Sequence, residues 1–167
     1  MIKRNIRMEG AVAYISLTKG YTAIIDTTDV HLVDRWHWCA MVCPRAIYAR
    51  RSQEIDGKAP TALLHRVIVA APYGLDVDHI SGDGLDNRRA NLRLATRSQN
   101  IQNQGIGSRN TSGFKGVTWL KQKAKWKAQI GFEGSNRHLG LFTDINDAAA
   151  AYAAASKQLH GQFGRTA

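Results

Sequence analysis

No stretch of this 167-residue sequence approaches the roughly 18 consecutive apolar residues that a membrane-spanning helix needs. Its start, Met1-Ile2-Lys3-Arg4-Asn5, has no apolar run of the signal-peptide kind. A helical membrane protein is excluded and a cytoplasmic setting is expected. Cysteine is scarce: Cys39 and Cys43 are the only two, too few for a disulfide framework. Free thiols are the expectation. Nor does a second Cys or His pair at finger-like spacing complete four ligands around Trp36-His37-Trp38-Cys39, so no structural zinc is expected and the segment reads as a packed strand. Acidic residues are few, 13 Asp and Glu against 23 Lys and Arg, for a net charge of +10. Such a surplus draws a chain to polyanions, of which nucleic acid is the commonest, although charge alone does not choose between DNA, RNA and a membrane surface.

What is present divides into three stretches, and together they predict an α+β protein. From residue 12 to about 68, β-rich runs at 13–17, 21–26, 36–42, 46–50 and 62–68 alternate with Gly, Asp and Pro punctuation, which predicts a small antiparallel sheet. Residues 75–80 and Leu92-Arg93-Leu94-Ala95 then read as two strands joined by the polar loop 81–91. Thr96-Arg97-Ser98-Gln99 fits a capping box, so a short helix is expected over 97–104. The run from Gly105 to Gly113 is small, polar and almost free of core-forming residues, and a linker is placed at 105–112. It separates a first module, residues 1–104, from a second at 113–167. There, strands are expected at 114–120, 125–132 and 138–142, followed by an alanine-rich helix over 144–160. The second module is thus a three-stranded antiparallel sheet packed on one C-terminal helix.

Cutting a phosphodiester requires an activated water, a cation to offset charge on the phosphate and leaving oxygen, and a rigid frame. The middle of the chain carries residues for each. His79 is the natural general base, since a neutral imidazole with a fixed tautomer takes a proton near neutral pH. Asp78 beside it is the natural anionic metal ligand. Asn100, one turn into the capped helix, can add an amide oxygen, and two hard oxygen donors suit one divalent cation, Mg²⁺ first and Mn²⁺ second. Asn91, short and doubly hydrogen-bonding, suits tying the loop back to the strand of His79. Arg88, Arg89, Arg93 and Arg97 are placed to grip phosphates, or are solvated charges. In the plainest reading, Gly82, Gly84 and Asn87 are ordinary turn formers, which accounts for the loop but not for His79 and Asn100.

Val77-Asp78-His79-Ile80, Gly82-Asp83, Asp86-Asn87-Arg88, Asn91-Leu92-Arg93 and Ser98-Gln99-Asn100 together resemble the HNH family of ββα-metal, or His-Me finger, nucleases, in particular the phage-type homing endonucleases. The resemblance spans about 64–103. It implies Asp78 and Asn100 as metal ligands, His79 as general base and Asn91 as the residue that orients the loop. The third letter of the motif is here Asn, as in the phage branch. His65-Arg66 stands where the family commonly has a His-Arg pair near the site or the phosphate backbone; a structural histidine fits equally. Asn103, with His65 and Arg66, is expected to support the site.

Residues 105–167 hold nine Lys or Arg against three Asp or Glu, clustered at 115–127. Period 2 from Lys125 puts Lys125, Lys127 and Gln129 on one strand face and Trp126, Ala128 and Ile130 on the other. A sheet offering Lys and Gln outward can enter a major groove, or is merely solvated. Ser112-Gly113-Phe114-Lys115-Gly116-Val117-Thr118-Trp119, Lys125–Ile130, Leu139-Gly140-Leu141-Phe142 and the alanine-rich helix resemble the Apetala2, or ethylene-response-factor, DNA-binding domain over about 112–164. That resemblance implies a DNA-facing surface at Lys115, Thr118, Lys127, Gln129 and His138, to which Lys121 and Lys125 add charge. Thr118 and His138 depart from the plant pattern of Arg and Trp, so the plant target sequence does not carry over. Trp119, Trp126, Phe142 and Tyr152 read as core residues, with edge contact to DNA open for Trp119.

The reading that follows is a metal-dependent endonuclease acting on double-stranded DNA as a monomer, with no membrane partner. The alternative is a sequence-specific DNA-binding regulator with a vestigial nuclease centre. RNA binding or cleavage follows from charge alone and has no recognisable signature here. Lys3, Arg4, Arg7, Arg45, Arg50 and Arg51 would widen the DNA footprint.

Overall fold

The computed structural model describes residues 6–52 and 61–166; Lys3 and Arg4 lie outside the described residues. The protein is α+β, and it divides into two compact units, Met1–Arg97 and Ser98–Ala167.

The first unit opens with strands β1 (Ile6–Glu9), β2 (Val12–Ser16) and β3 (Thr22–Asp26), paired antiparallel in that order. Ala13, Ile15, Ala23 and Ile25 are buried while their neighbours along each strand are not; this is the period-2 pattern of a sheet with one face on a core. A single turn of helix, α1 (Val30–Val33), follows. A second antiparallel sheet, order β4-β5-β6, is made of β4 (Cys39–Val42), β5 (Ile47–Ser52) and β6 (Thr61–Leu63). One small sheet was expected where two stand. The run 62–68 also departs from expectation, being strand only to Leu63 and helix over α2 (Leu64–Ile68). The reason is spacing: Leu64 and Ile68 lie one helical turn apart and both are buried in the core, and a short apolar run does not by itself distinguish strand from helix. The strand expected at 36–42 is paired only from Cys39. Before it, Trp36 lies beneath the Arg51 guanidinium, 3.6 Å from ring centroid to Cζ, and the Trp38 indole donates to the Val33 carbonyl at 3.1 Å.

Strands β7 (Asp76–His79) and β8 (Leu92–Ala95) form an antiparallel pair in the register Asp76 to Ala95 through His79 to Leu92. Val77 and Leu92 join Leu64, Ile68, Trp38, Ala49 and the β2–β3 residues in one hydrophobic core. The strand pair therefore cannot pack without the N-terminal sheets.

Helix α3 (Arg97–Asn103) begins at the last residue of the first unit and continues in the second. The second unit is an antiparallel sheet, order β11-β10-β9, of β9 (Val117–Leu120), β10 (Lys125–Phe132) and β11 (Ser135–Phe142), against which α4 (Ile145–His160) packs. Val117, Ala128 and Ala148 form its buried centre, with Phe114, Trp126, Leu139, Phe142 and Ile145 around them. Asp144 caps α4, its carboxylate accepting from the Asn146 N–H at 2.7 Å. Gly116 has a φ of +72°, and a Cβ there would run into the Tyr152 ring, so the turn into β9 admits only glycine. Trp119, expected in the core, is instead 41% exposed. It lies opposite Trp126 on the same sheet face, their ring centroids 4.9 Å apart, a position where it covers its neighbour but remains open to solvent.

Candidate active site

The concentration of buried polar groups in the first unit marks the site. Asp78 is 3% exposed and His79 is 6% exposed at the end of β7, with His65, Asn87 and Asn91 buried near them. Burial of this kind is costly unless each group has a partner.

The 81–91 loop is pinned from three directions. Asn91 accepts from the Ser81 N–H at 2.9 Å and donates to the Asp86 carbonyl at 2.7 Å, while its own carbonyl accepts from the Ile80 N–H at 2.9 Å. Strand β3 lends its edge: the Ile24 N–H donates to the Leu85 carbonyl at 2.8 Å, and the Asn87 N–H donates to the Ile24 carbonyl at 2.7 Å. Arg89 donates twice to the buried Asp29 carboxylate, at 2.7 and 2.9 Å, and once to the Ile68 carbonyl at the end of α2, at 2.8 Å. Gly84 passes so close to β5 that a Cβ would meet the Ile47 carbonyl oxygen and the Tyr48 ring.

That frame sets Asn87, fully buried, against His79. Its amide nitrogen donates to the Leu85 carbonyl at 2.9 Å, which turns its oxygen toward His79 Nε2 in a long contact of 3.4 Å. An amide oxygen only accepts, so the contact favours the tautomer with the proton on Nε2 and the lone pair on Nδ1. Three rings close around the same point. The His65 ring stands edge-on to His79, centroids 4.9 Å apart, and Tyr48 lies 5.6 Å from His65 and 5.8 Å from His79. Burial lowers the His79 pKa, opposed by the Asn87 contact. Burial, reinforced by neighbouring His79, lowers that of His65 to about 3. Both imidazoles are therefore neutral at pH 7, and His65 Nδ1 is buried with no hydrogen-bond partner among the described residues. Burial also pushes the Tyr48 phenol upward.

Asp78 faces a different neighbour. Arg93, its cross-strand partner, donates from Nε at 2.7 Å and brings a terminal nitrogen to 2.6 Å of the same carboxylate oxygen. Among the described residues no three or more His, Cys, Asp and Glu side chains cluster as a metal site. A single carboxylate fits a hard cation that keeps most of its water, as Mg²⁺ does, and fits zinc poorly. Asn100 and the buried Asn103 lie on α3, within the second unit.

The arginines expected on phosphates are mostly engaged. Arg88 grips Asp86 at 2.7 and 2.8 Å, Arg93 grips Asp78, and Arg97 reaches Asp76 at 3.3 Å. Arg66 donates to the carbonyls of Leu75, Pro72 and Ala71 and so closes the turn into β7. In the second unit, Lys115, expected to face DNA, is half-buried and donates to the carbonyls of Gln102 and Gln104, both at 2.6 Å, where it satisfies the end of α3. The others expected there do share a face. Lys127 pairs with Thr118 and Gln129 with His138, while Ala128 and Ile130 point into the core. A bulge between Ala128 and Gln129 lets Leu139 turn inward while His138 stays exposed. Lys121 is exposed and Lys125 half-exposed.

Two residues of the site escaped the sequence reading. Asn87 carries a turn-former's signature, and only its burial separates it from one. Tyr48 comes from β5, far from the motif, and gives no sequence signal.

Residues 62–102 match the family model described as HNH endonuclease. The chain is 36% identical over 94 residues to Protein 3.8 of Escherichia phage T7, covering 56% of this chain and 77% of that protein. It is 31% identical over 106 residues to an uncharacterised HNH endonuclease of Acanthamoeba polyphaga mimivirus, covering 60% of this chain and 54%, about half, of that protein. No solved structure matches.

Proposed function

Because the chain belongs to the HNH endonuclease family, we propose that it is a metal-dependent endonuclease of the free-standing phage, or homing, type, acting on double-stranded DNA as a monomer. The observation that carries this reading is a buried, neutral imidazole, His79, held by Asn87 and ringed by His65 and Tyr48, with the buried Asp78 as the preceding residue of the same strand.

In this reading His79 takes the proton of the attacking water, and Asn87 and Asn91 keep the ring and loop from moving as it does so. Asp78 and Asn100 would hold one divalent cation, Mg²⁺ or Mn²⁺. When bound, such an ion supplies charge stabilisation for the phosphate and the leaving oxygen. The second unit selects DNA with the Apetala2-like sheet face of Thr118, Lys125, Lys127, Gln129 and His138, with Lys121 beside it. The regulator with a vestigial nuclease centre is the competing reading. Intact Asp78, His79, Asn91 and Asn100 speak against it.

The test is conversion of supercoiled plasmid to nicked and linear forms by the wild type and His79→Ala, with Mg²⁺ or chelator, alongside DNA retention. The nuclease reading expects cutting by the wild type only with metal, and a variant that binds equally but does not cut. Two proteins that only bind would favour the regulator.

A further inference from the structure

Of the arginines in the first unit, most are already committed to a neighbour. Arg7 pairs with Glu9, Arg51 lies on Trp36, Arg66 closes a turn, and Arg88, Arg89, Arg93 and Arg97 hold carboxylates. Among the described residues, Arg35, Arg45 and Arg50 make no ion pair or side-chain hydrogen bond.

Strand geometry separates Arg50 from the other two. Successive side chains of β5 point to opposite faces. Ala49 is buried in the core and Arg51 stacks on Trp36, on one side. Tyr48 and Arg50 take the other side, and Tyr48 lies against both His65 and His79. The cross-strand partner of Arg50 in β6 is Leu63, two residues before His65. Arg50, exposed and with no partner among the described residues, thus stands two residues along the strand from Tyr48, whose ring borders His79, with their Cα atoms about 7 Å apart at the usual rise of a strand.

We propose that Arg50 is a substrate-phosphate-binding residue, gripping a backbone phosphate of the DNA strand close to the phosphodiester that faces His79. A planar guanidinium whose donors are not spent on protein is suited to a bidentate phosphate contact. The inference rests on the nuclease reading for what lies beside Arg50, but not for whether Arg50 touches DNA.

The test is binding of a short duplex by the full chain in chelator, where nothing is cut, across a salt series for the wild type, Arg50→Gln, Arg50→Lys and Arg35→Gln. Loss of one phosphate contact lowers the slope of log K against log salt by about 0.9. At 0.15 M salt that slope corresponds to a binding constant weaker by about fivefold. Arg50→Gln is expected to show both changes, Arg50→Lys to keep the slope, and all variants to unfold at the wild-type temperature. A wild-type slope in Arg50→Gln, or an equal loss in Arg35→Gln, overturns the proposal. If the wild type binds without ever cutting while Arg50→Gln still loses one contact, the nuclease reading has failed and the phosphate contact stands.

Discussion

Replacing Arg93 with leucine would expose how the Asp78 carboxylate is tolerated in the fold. Asp78 is 3% exposed, and the Arg93 side chain is only 13% exposed, so neither charge has much water. Two contacts of 2.6 and 2.7 Å compensate them. Removing one member of such a pair leaves a buried charge with its desolvation uncompensated, typically a loss of about 3–5 kcal/mol. For a unit of this size each kcal/mol shifts the midpoint by about 4–8 °C, so thermal unfolding should fall by about 12 °C or more. The assay is urea and thermal unfolding in chelator of the wild type, Arg93→Leu, and the double variant with Asp78→Asn. The double variant should recover much of the loss, because a neutral amide no longer demands a counter-charge. If Asp78 is a metal ligand, Mg²⁺ should stabilise Arg93→Leu more than the wild type, since no guanidinium then competes for the carboxylate; a ligand at a hundred times its Kd contributes about 2.7 kcal/mol. A loss below about 1 kcal/mol in Arg93→Leu, or a double variant no better than the single one, would refute the reasoning.

Asn87→Ala should leave DNA binding unchanged and lower the cleavage rate by about 10- to 100-fold, the usual scale for losing the partner that orients a functional imidazole; a variant cutting at the wild-type rate would remove Asn87 from the site. Stability should fall on acidification. His65 has a folded pKa of about 3 against 6.5, so below pH 6.5 the unfolded chain takes up a proton that the folded chain refuses. This contribution is whole above pH 6.5 and is lost as the pH drops toward 3, costing about 2 kcal/mol by pH 5. Urea unfolding of the wild type and His65→Phe at pH 7 and 5 checks it; an equal pH dependence in both would rule out His65 as the source.

Much of the architecture was legible because it is written in local chemistry. The alternation of Lys125–Phe132, the alanines of α4 and the capping Asp144 each state their element within a few residues. The paired strands around Asp78 and His79 were legible for the same reason. What was misread had a local signal that fitted two structures. Leu64–Ile68 is a short apolar run, and its choice of helix depends on which residues the core has room for. Lys115 was placed by the Apetala2 resemblance on the DNA-facing surface, yet its amine donates to the Gln102 and Gln104 carbonyls at the end of α3.

The candidate site divides along the same line. The residue types that hydrolysis of a phosphodiester calls for, Asp78, His79, Asn91 and Asn100, were legible in the sequence, at spacings that resemble the HNH motif. Only the tertiary structure decided which groups surround His79 and which arginines remain available. Strand β3 holds the Asn87 loop, β5 brings Tyr48, α2 brings His65, and carboxylates and carbonyls engage one arginine after another while Arg50 has no partner among the described residues. These assignments depend on burial and on contacts between distant segments, and no short-range pattern encodes either.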